Sequence, residues 1–146
     1  LKPFYKNIEK RFVKRPKIYF IDTGLCSYLC QWTTPENLEI GAMSGNIFET
    51  FVVTEIIKSY YHNGKQPMLY YYRDSNGIEI DLLIEENGRL YPIEIKKTSN
   101  PKKEDIKHFK SVEKVLDNID HGSVICLTDV IIPLSEKTNA ISIWDI

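Results

Sequence analysis

Residues 78–96 read IEIDLLIEENGRLYPIEIK, and the fold follows from how this stretch is paired. Two apolar-rich runs flank Asn87-Gly88, the dipeptide that most strongly marks a two-residue hairpin turn, because both turn positions need positive φ. With these two residues as the turn, Glu86 pairs with Arg89. Counting outward pairs Asp81 with Glu94 and Glu79 with Lys96. Side chains alternate faces along a strand. One face therefore carries Ile78, Ile80, Leu82, Ile84, Tyr91, Ile93 and Ile95. The other carries Glu79, Asp81, Leu83, Glu85, Leu90, Pro92, Glu94 and Lys96. In this register Asp81 and Glu94 form a non-hydrogen-bonded pair, the closer kind, with Cβ atoms roughly 4.5–5.5 Å apart. Carboxylates set directly opposite repel, so the pair calls for solvent, a proton or a cation. A divalent metal is the sharpest of these readings, and the wet face of an antiparallel sheet is the plainest.

The chain has 146 residues, enough for one domain with a core. Its 42% hydrophobic and 12% aromatic content exclude a disordered chain. No apolar run approaches the roughly 18 residues that cross a bilayer, and no signal-peptide pattern is present, so no membrane role is expected. Leu1 is not a start methionine, which leads us to expect a fragment of a longer protein. Cys26, Cys30 and Cys126 are an odd set, which argues against a disulfide framework and for a cytoplasmic setting. Cys26 and Cys30 have the spacing of zinc ligands on a helix. No second ligand pair follows, and buried thiols explain them as well.

The formal net charge of −1 provides no overall attraction to nucleic acid. Its distribution is uneven. Residues 1–17 hold Lys2, Lys6, Lys10, Arg11, Lys14, Arg15 and Lys17 against Glu9 alone, and Lys96, Lys97, Lys102, Lys103, Lys107 and Lys110 follow the hairpin. Such clusters can contact phosphates or simply be solvated.

Along the chain, residues 1–16 read as a basic connector from an upstream module, and residues 17–146 as the domain proper. Residues 17–21 (KIYFI) suggest a short strand. Asp22 or Thr23 can cap the helical stretch that follows, and residues 31–44 read as a loop. Residues 46–62 form the strongest helical pattern, with Phe48, Val52, Ile56 and Tyr60 on one stripe and Asn63-Gly64 as its stop. Glu49 stands three residues after Asn46, a spacing that permits a capping box. Residues 68–73 (MLYYYR) read as a strand. A three-residue loop after Asp74 puts Arg73 opposite Glu79, whereas an Asn76-Gly77 turn flips Arg73 to the apolar side. Pro101 opens a helix whose buried face is Ile106, Phe109, Val112 and Leu116. Residues 123–128 form a strand covered on both sides, and residues 130–134 and 141–146 are further short strands. The crossover after the hairpin makes the Glu94 strand central.

Asp81, then Glu94-Ile95-Lys96, with Glu49 on a preceding helix, resembles the PD-(D/E)XK nuclease pattern. That resemblance implies a restriction-endonuclease-like core, a central mixed sheet flanked by helices in the order helix, three-stranded meander, helix, strand. More narrowly, PKIYFIDTGL, GNIFETFVVTEI, YYRDSNGIEIDLLIE and YPIEIKKT resemble a C-terminal domain of unknown function in archaeal and bacterial AAA-type ATPases. Ile80, where many members have proline, is a departure from the pattern. The chain has no GxxxxGK[ST] phosphate loop of its own.

The resemblance implies that Asp81, Glu94 and the Ile95 carbonyl bind Mg²⁺ or Mn²⁺, with Glu49 completing the site directly or through water. Lys96 would then be the catalytic lysine beside Glu94, Asp81 and Glu49. Lys103, Lys107 and Arg73 are the candidate contacts to DNA phosphates. Two functions are expected to compete: a metal-dependent endonuclease attached to an ATPase, and a catalytically silent nuclease-like module that binds nucleic acid or protein. A homo-oligomer is compatible with either.

Overall fold

The computed structural model describes residues 1–4 and 15–146. In chain order the strands are β1 (Lys2–Pro3), β2 (Met68–Arg73), β3 (Glu79–Glu86), β4 (Arg89–Ile95), β5 (Gly122–Cys126), β6 (Ile132–Ser135) and β7 (Thr138–Ser142). The α-helices are α1 (Thr23–Leu29), α2 (Pro35–Ile40), α3 (Ser44–His62) and α4 (Phe109–Glu113). The strands form one mixed sheet in the order β1-β2-β3-β4-β5-β7-β6. β2, β3 and β4 are an antiparallel meander, and β4 runs parallel to β5. The Glu94 strand is therefore interior to the sheet.

Asn87 (φ 52°) and Gly88 (φ 75°) make the tight turn, and pairing runs from Glu86↔Arg89 to Leu82↔Ile93 in the expected register. Pro92 lies in this central strand because its nitrogen falls where pairing with β5 has not begun; that pairing starts at Ile93↔Ser123. α3 packs Phe48, Val52, Val53 and Ile56 on Leu82, Ile93, Ile95 and Ile125. The opposite layer sets Phe109, Val112 and Leu116 against Tyr70, Tyr72, Ile80, Leu83 and Leu90. A Cβ on Gly122 would come within 2.5 Å of the Phe109 ring, so the β5 backbone needs glycine there.

Several local expectations are corrected. Residues 17–21 are not a strand, although Lys17 exchanges two main-chain hydrogen bonds with Leu1 (2.9 and 2.7 Å). The stretch 31–44, read as a loop, contains α2, started by a Thr34 cap on Asn37 N–H (3.3 Å) and Pro35 in its first turn. The helix expected from Pro101 begins instead as a 3₁₀ turn over Lys103–Ile106, where Asp105 accepts from Lys102 N–H at 2.7 Å, and only then becomes α4. The last strand ends at Ser142, in a 3₁₀ turn over Ile143–Asp145. Cys30 is exposed and Cys26 half-buried, so neither is the buried thiol expected of that pair, whereas Cys126 is buried. Lys2–Pro3, from the stretch read as connector, pair with Tyr70 and Tyr71 at the sheet edge. Lys6, Lys10, Arg11 and Lys14 lie outside the described residues. Among the described residues, no helix is long and apolar enough to cross a membrane.

Candidate functional site

The site begins with a fault in β3. Tyr70 pairs with Leu83 but Tyr72 pairs with Ile80, so β3 advances three residues while β2 advances two. Asp81 and Leu82 thus share one partner, Tyr71, which is a β-bulge. This moves Ile80 off the face assigned to it by strict alternation. It packs with Leu83 and Leu90, not with Leu82.

The bulge also ends the β3–β4 ladder at Leu82↔Ile93, one step short of the expected Asp81–Glu94 pair. In an unbroken ladder Ile95 would exchange main-chain bonds with Ile80. Instead its N–H donates to Asp81 Oδ2 at 2.9 Å. The N–H and C=O of one strand residue point the same way, so the Ile95 carbonyl is directed toward this gap. Lys96 N–H, one residue on, donates to Ile125 O at 3.0 Å on the other side.

Lys96 occupies the centre of the gap. Its Nζ lies 2.7 Å from Glu94 Oε2 and 3.4 Å from Asp81 Oδ2. Glu94 is only 5% exposed. Burial, and then Asp81, push its carboxyl up to about 8 against the pull of Lys96. Burial draws the Lys96 ammonium down, but Asp81 and Glu94 together hold it above its ordinary value.

Glu49 reaches this region from α3. The capping-box alternative is not realised: α3 starts at Ser44, and its N-cap, Met43, makes no side-chain cap bond. Glu49 Oε1 accepts from Tyr19 Oη at 2.6 Å and lies 3.3 Å from Lys17 Nζ. Lys17 Nζ is also 3.2 Å from Glu79 Oε1, and Glu79 Oε2 is 3.3 Å from Arg73 Nε. Burial lowers the Lys17 ammonium, but Glu49, Glu79 and Asp81 outweigh it and hold the group high. Burial, then Glu49 and more distant Asp81 and Glu79, drive the Tyr19 hydroxyl far above its ordinary value.

Arg73 faces Glu79 because the three-residue loop forms. Asp74 Oδ1 accepts from Asn76 N–H (2.8 Å) and Ile78 N–H (2.9 Å), and Gly77 takes φ 80°. Lys103 and Lys107 are elsewhere. With Lys110, Lys137, Glu113 and Glu136 they line a groove of about 630 Å³ beside β6 and β7. Between that groove and the site strands stands His108, with Nδ1 3.0 Å from Glu79 O.

The bulge and Tyr19 are not foreseen from the sequence, where Lys17 stands only in a basic cluster and Glu79 only opposite Arg73 and Lys96. Lys17 and Tyr19 alternate in an extended run, which is the signal that was available. With Glu49, Glu79, Asn46 and Trp32 they line a cavity of about 740 Å³. Among the described residues, no three His, Cys, Asp or Glu side chains converge as a metal cage. Asp81 and Glu94, drawn to one cation, do match a site of two carboxylates completed by water, the kind Mg²⁺ accepts. Glu49, committed to Lys17 and Tyr19, suits an outer, water-mediated place.

Residues 44–146 match the model of a family described as a domain of unknown function, DUF4143. Among curated proteins, the uncharacterized protein Rv2008c of Mycobacterium tuberculosis and the uncharacterized protein Mb2031c of Mycobacterium bovis are similar. Each is 39% identical over 101 residues, covering 69% of this chain and 22% of the relative. The chain thus spans about a fifth of the length of these relatives. No solved structure matches.

Proposed function

We propose that this chain, which belongs to the DUF4143 family of domains of unknown function, is a metal-dependent nuclease domain of the PD-(D/E)XK kind that hydrolyses phosphodiesters, DNA first among them. The observation that carries the reading is the convergence of Asp81 and Glu94 on Lys96 where a central ladder breaks. Apolar residues at such a place are often as good for stability as a buried charged set, or better. The set therefore argues for chemistry.

Mg²⁺ or Mn²⁺ at Asp81, Glu94 and the Ile95 carbonyl would polarise the scissile phosphate and supply an activated water. Lys96, released from its carboxylates, faces the phosphate and offsets the charge that develops on it. Glu49 orders water from the α3 side. Arg73 sits at the exposed lip to meet a backbone phosphate, and Lys103 and Lys107 meet the same strand farther along, in their groove. The remainder of a longer protein would hold the AAA-type ATPase module that the sequence resemblance implies, in the cytoplasm. The small share of the relatives that this chain covers leaves room for it.

One observation favours a second reading, a silent nuclease-like module that binds a partner: Lys17 and Lys96 already neutralise much of the acidic cluster. Calorimetric titration with Mn²⁺ separates the two. We expect saturable binding by the wild type, weakened at least about tenfold in Asp81→Asn, with metal-supported cleavage of DNA lost in the same variant. An asparagine can still accept from Ile95 N–H, so the fold should survive. A wild type that binds no Mn²⁺ at this site sinks the nuclease reading and leaves the silent module.

A further inference from the structure

We infer that Lys17 is a positioning residue of the site: it fixes the Glu49 carboxylate against the bulged end of β3, with Tyr19 as its second support. The inference rests on the nuclease reading for its consequence and on geometry for its content. Glu49 stands on α3 and Glu79 on β3, two residues before bulged Asp81. Lys17 Nζ lies 3.3 Å from one and 3.2 Å from the other. Among the described residues, it is the ion pair that joins the helix acid to the strand acid.

Its own place is well defined. The Lys17 main chain exchanges two hydrogen bonds with Leu1, and Tyr71 Oη donates to Arg15 O at 2.8 Å. Tyr71 is the residue opposite the bulge, and the Lys17 ammonium stands 5.5 Å from its ring centroid. The segment at 15–19 is therefore registered to the same fault in the sheet that breaks the ladder at Asp81.

The contacts also suit a carboxylate that works through water. Tyr19 and Lys17 both approach Oε1 of Glu49, which leaves Oε2 for a water molecule. Two donors on one oxygen fix the rotation of the group without consuming it. A flexible glutamate on a half-exposed helix turn would otherwise spread over several rotamers, and misplacement of about 1 Å at a reacting centre can cost on the order of 10²-fold in rate.

The test compares Lys17→Met, Lys17→Arg and Tyr19→Phe with the wild type, using Mn²⁺ and a short fluorescent DNA. For Lys17→Met we expect kcat to fall at least about tenfold while Mn²⁺ affinity stays within about threefold, because Asp81 and Glu94 are untouched. Lys17→Arg, which keeps the charge, should recover most of kcat, and Tyr19→Phe should lose only a few-fold. Unchanged kcat in Lys17→Met overturns the inference, as does a fall in Mn²⁺ affinity that matches the fall in kcat.

A readout independent of activity is a crystal structure of Lys17→Met. Glu49 should leave Tyr19 Oη and lose its single rotamer. Glu49 found unmoved there overturns the inference too. Absence of cleavage by the wild type strikes the nuclease reading alone and leaves this structural arm to decide the role of Lys17.

Discussion

The two ends of the β3–β4 hairpin use the same kinds of residue to opposite effect. At the turn end Glu86, Asn87, Gly88 and Arg89 are all exposed and the ladder is regular. Arg89, itself exposed, pairs with Asp120, whose side chain is 12% exposed, and together with His121 N–H holds the Asp120 carboxyl down at about 2. At the open end the ladder is broken and Glu94 is buried, its carboxyl pushed up to about 8. Water at the first end screens charge and makes each ion pair nearly optional. At the second end the cost of desolvation makes each partner depend on the others. A charged hairpin is thus two environments, and only the desolvated one has reason to act as a site.

The largest expected break in this comparison is Lys96→Met. It leaves Glu94 buried beside Asp81 with no ammonium. Because solvent still reaches Lys96, we take the low end of the cost of breaking a buried pair, about 2–3 kcal/mol at pH 9. Urea unfolding should show that cost shrinking toward pH 6 as Glu94 takes up a proton. An equal loss at both pH values would mean that Lys96 acts by packing alone. Arg89→Ala, the matching change at the turn end, should leave the urea midpoint where it is.

Glu94→Gln sharpens the same contrast with the opposite sign. The folded protein keeps the Glu94 proton up to about pH 8, whereas the ordinary value is 4.5. The fold therefore binds more protons than the unfolded chain across that window, and wild-type stability falls as pH rises through it. The variant should match the wild type near pH 5 and exceed it by a few kcal/mol at pH 9. Parallel stability profiles would show that Glu94 ionises normally. Smallest is Gly88→Ala, where a Cβ is forced into positive φ at the exposed turn. It should cost about 1 kcal/mol, with no change in pH dependence.

Much of the fold was legible because short-range rules govern it. Asn87-Gly88 imposes positive φ at both turn positions, and that alone sets the pairing from Glu86↔Arg89 to Leu82↔Ile93. The stripe on α3 and the apolar run of β5 follow from periodicity in the same way. Alternation failed at Ile80, because a bulge depends on how β2 and β3 settle against each other and leaves little trace in either strand alone. The helix after Pro101 was misjudged for a related reason: the Asp105 cap and the fit of Phe109 over Gly122 place its turns, and periodicity does not encode either.

From sequence alone came the hairpin register, the strand carrying Glu94 and Lys96, and the closeness of both to Asp81, since turn chemistry and strand period act over a few residues. The tertiary structure alone decided that the ladder breaks at Asp81, that Lys96 fills the gap, and that Lys17 and Tyr19 converge on Glu49. The contacts of Lys17 and Tyr19 with Glu49 join residues about thirty positions apart. Their energies depend on burial, and burial exists only once the helix, the strands and the upstream segment have packed together.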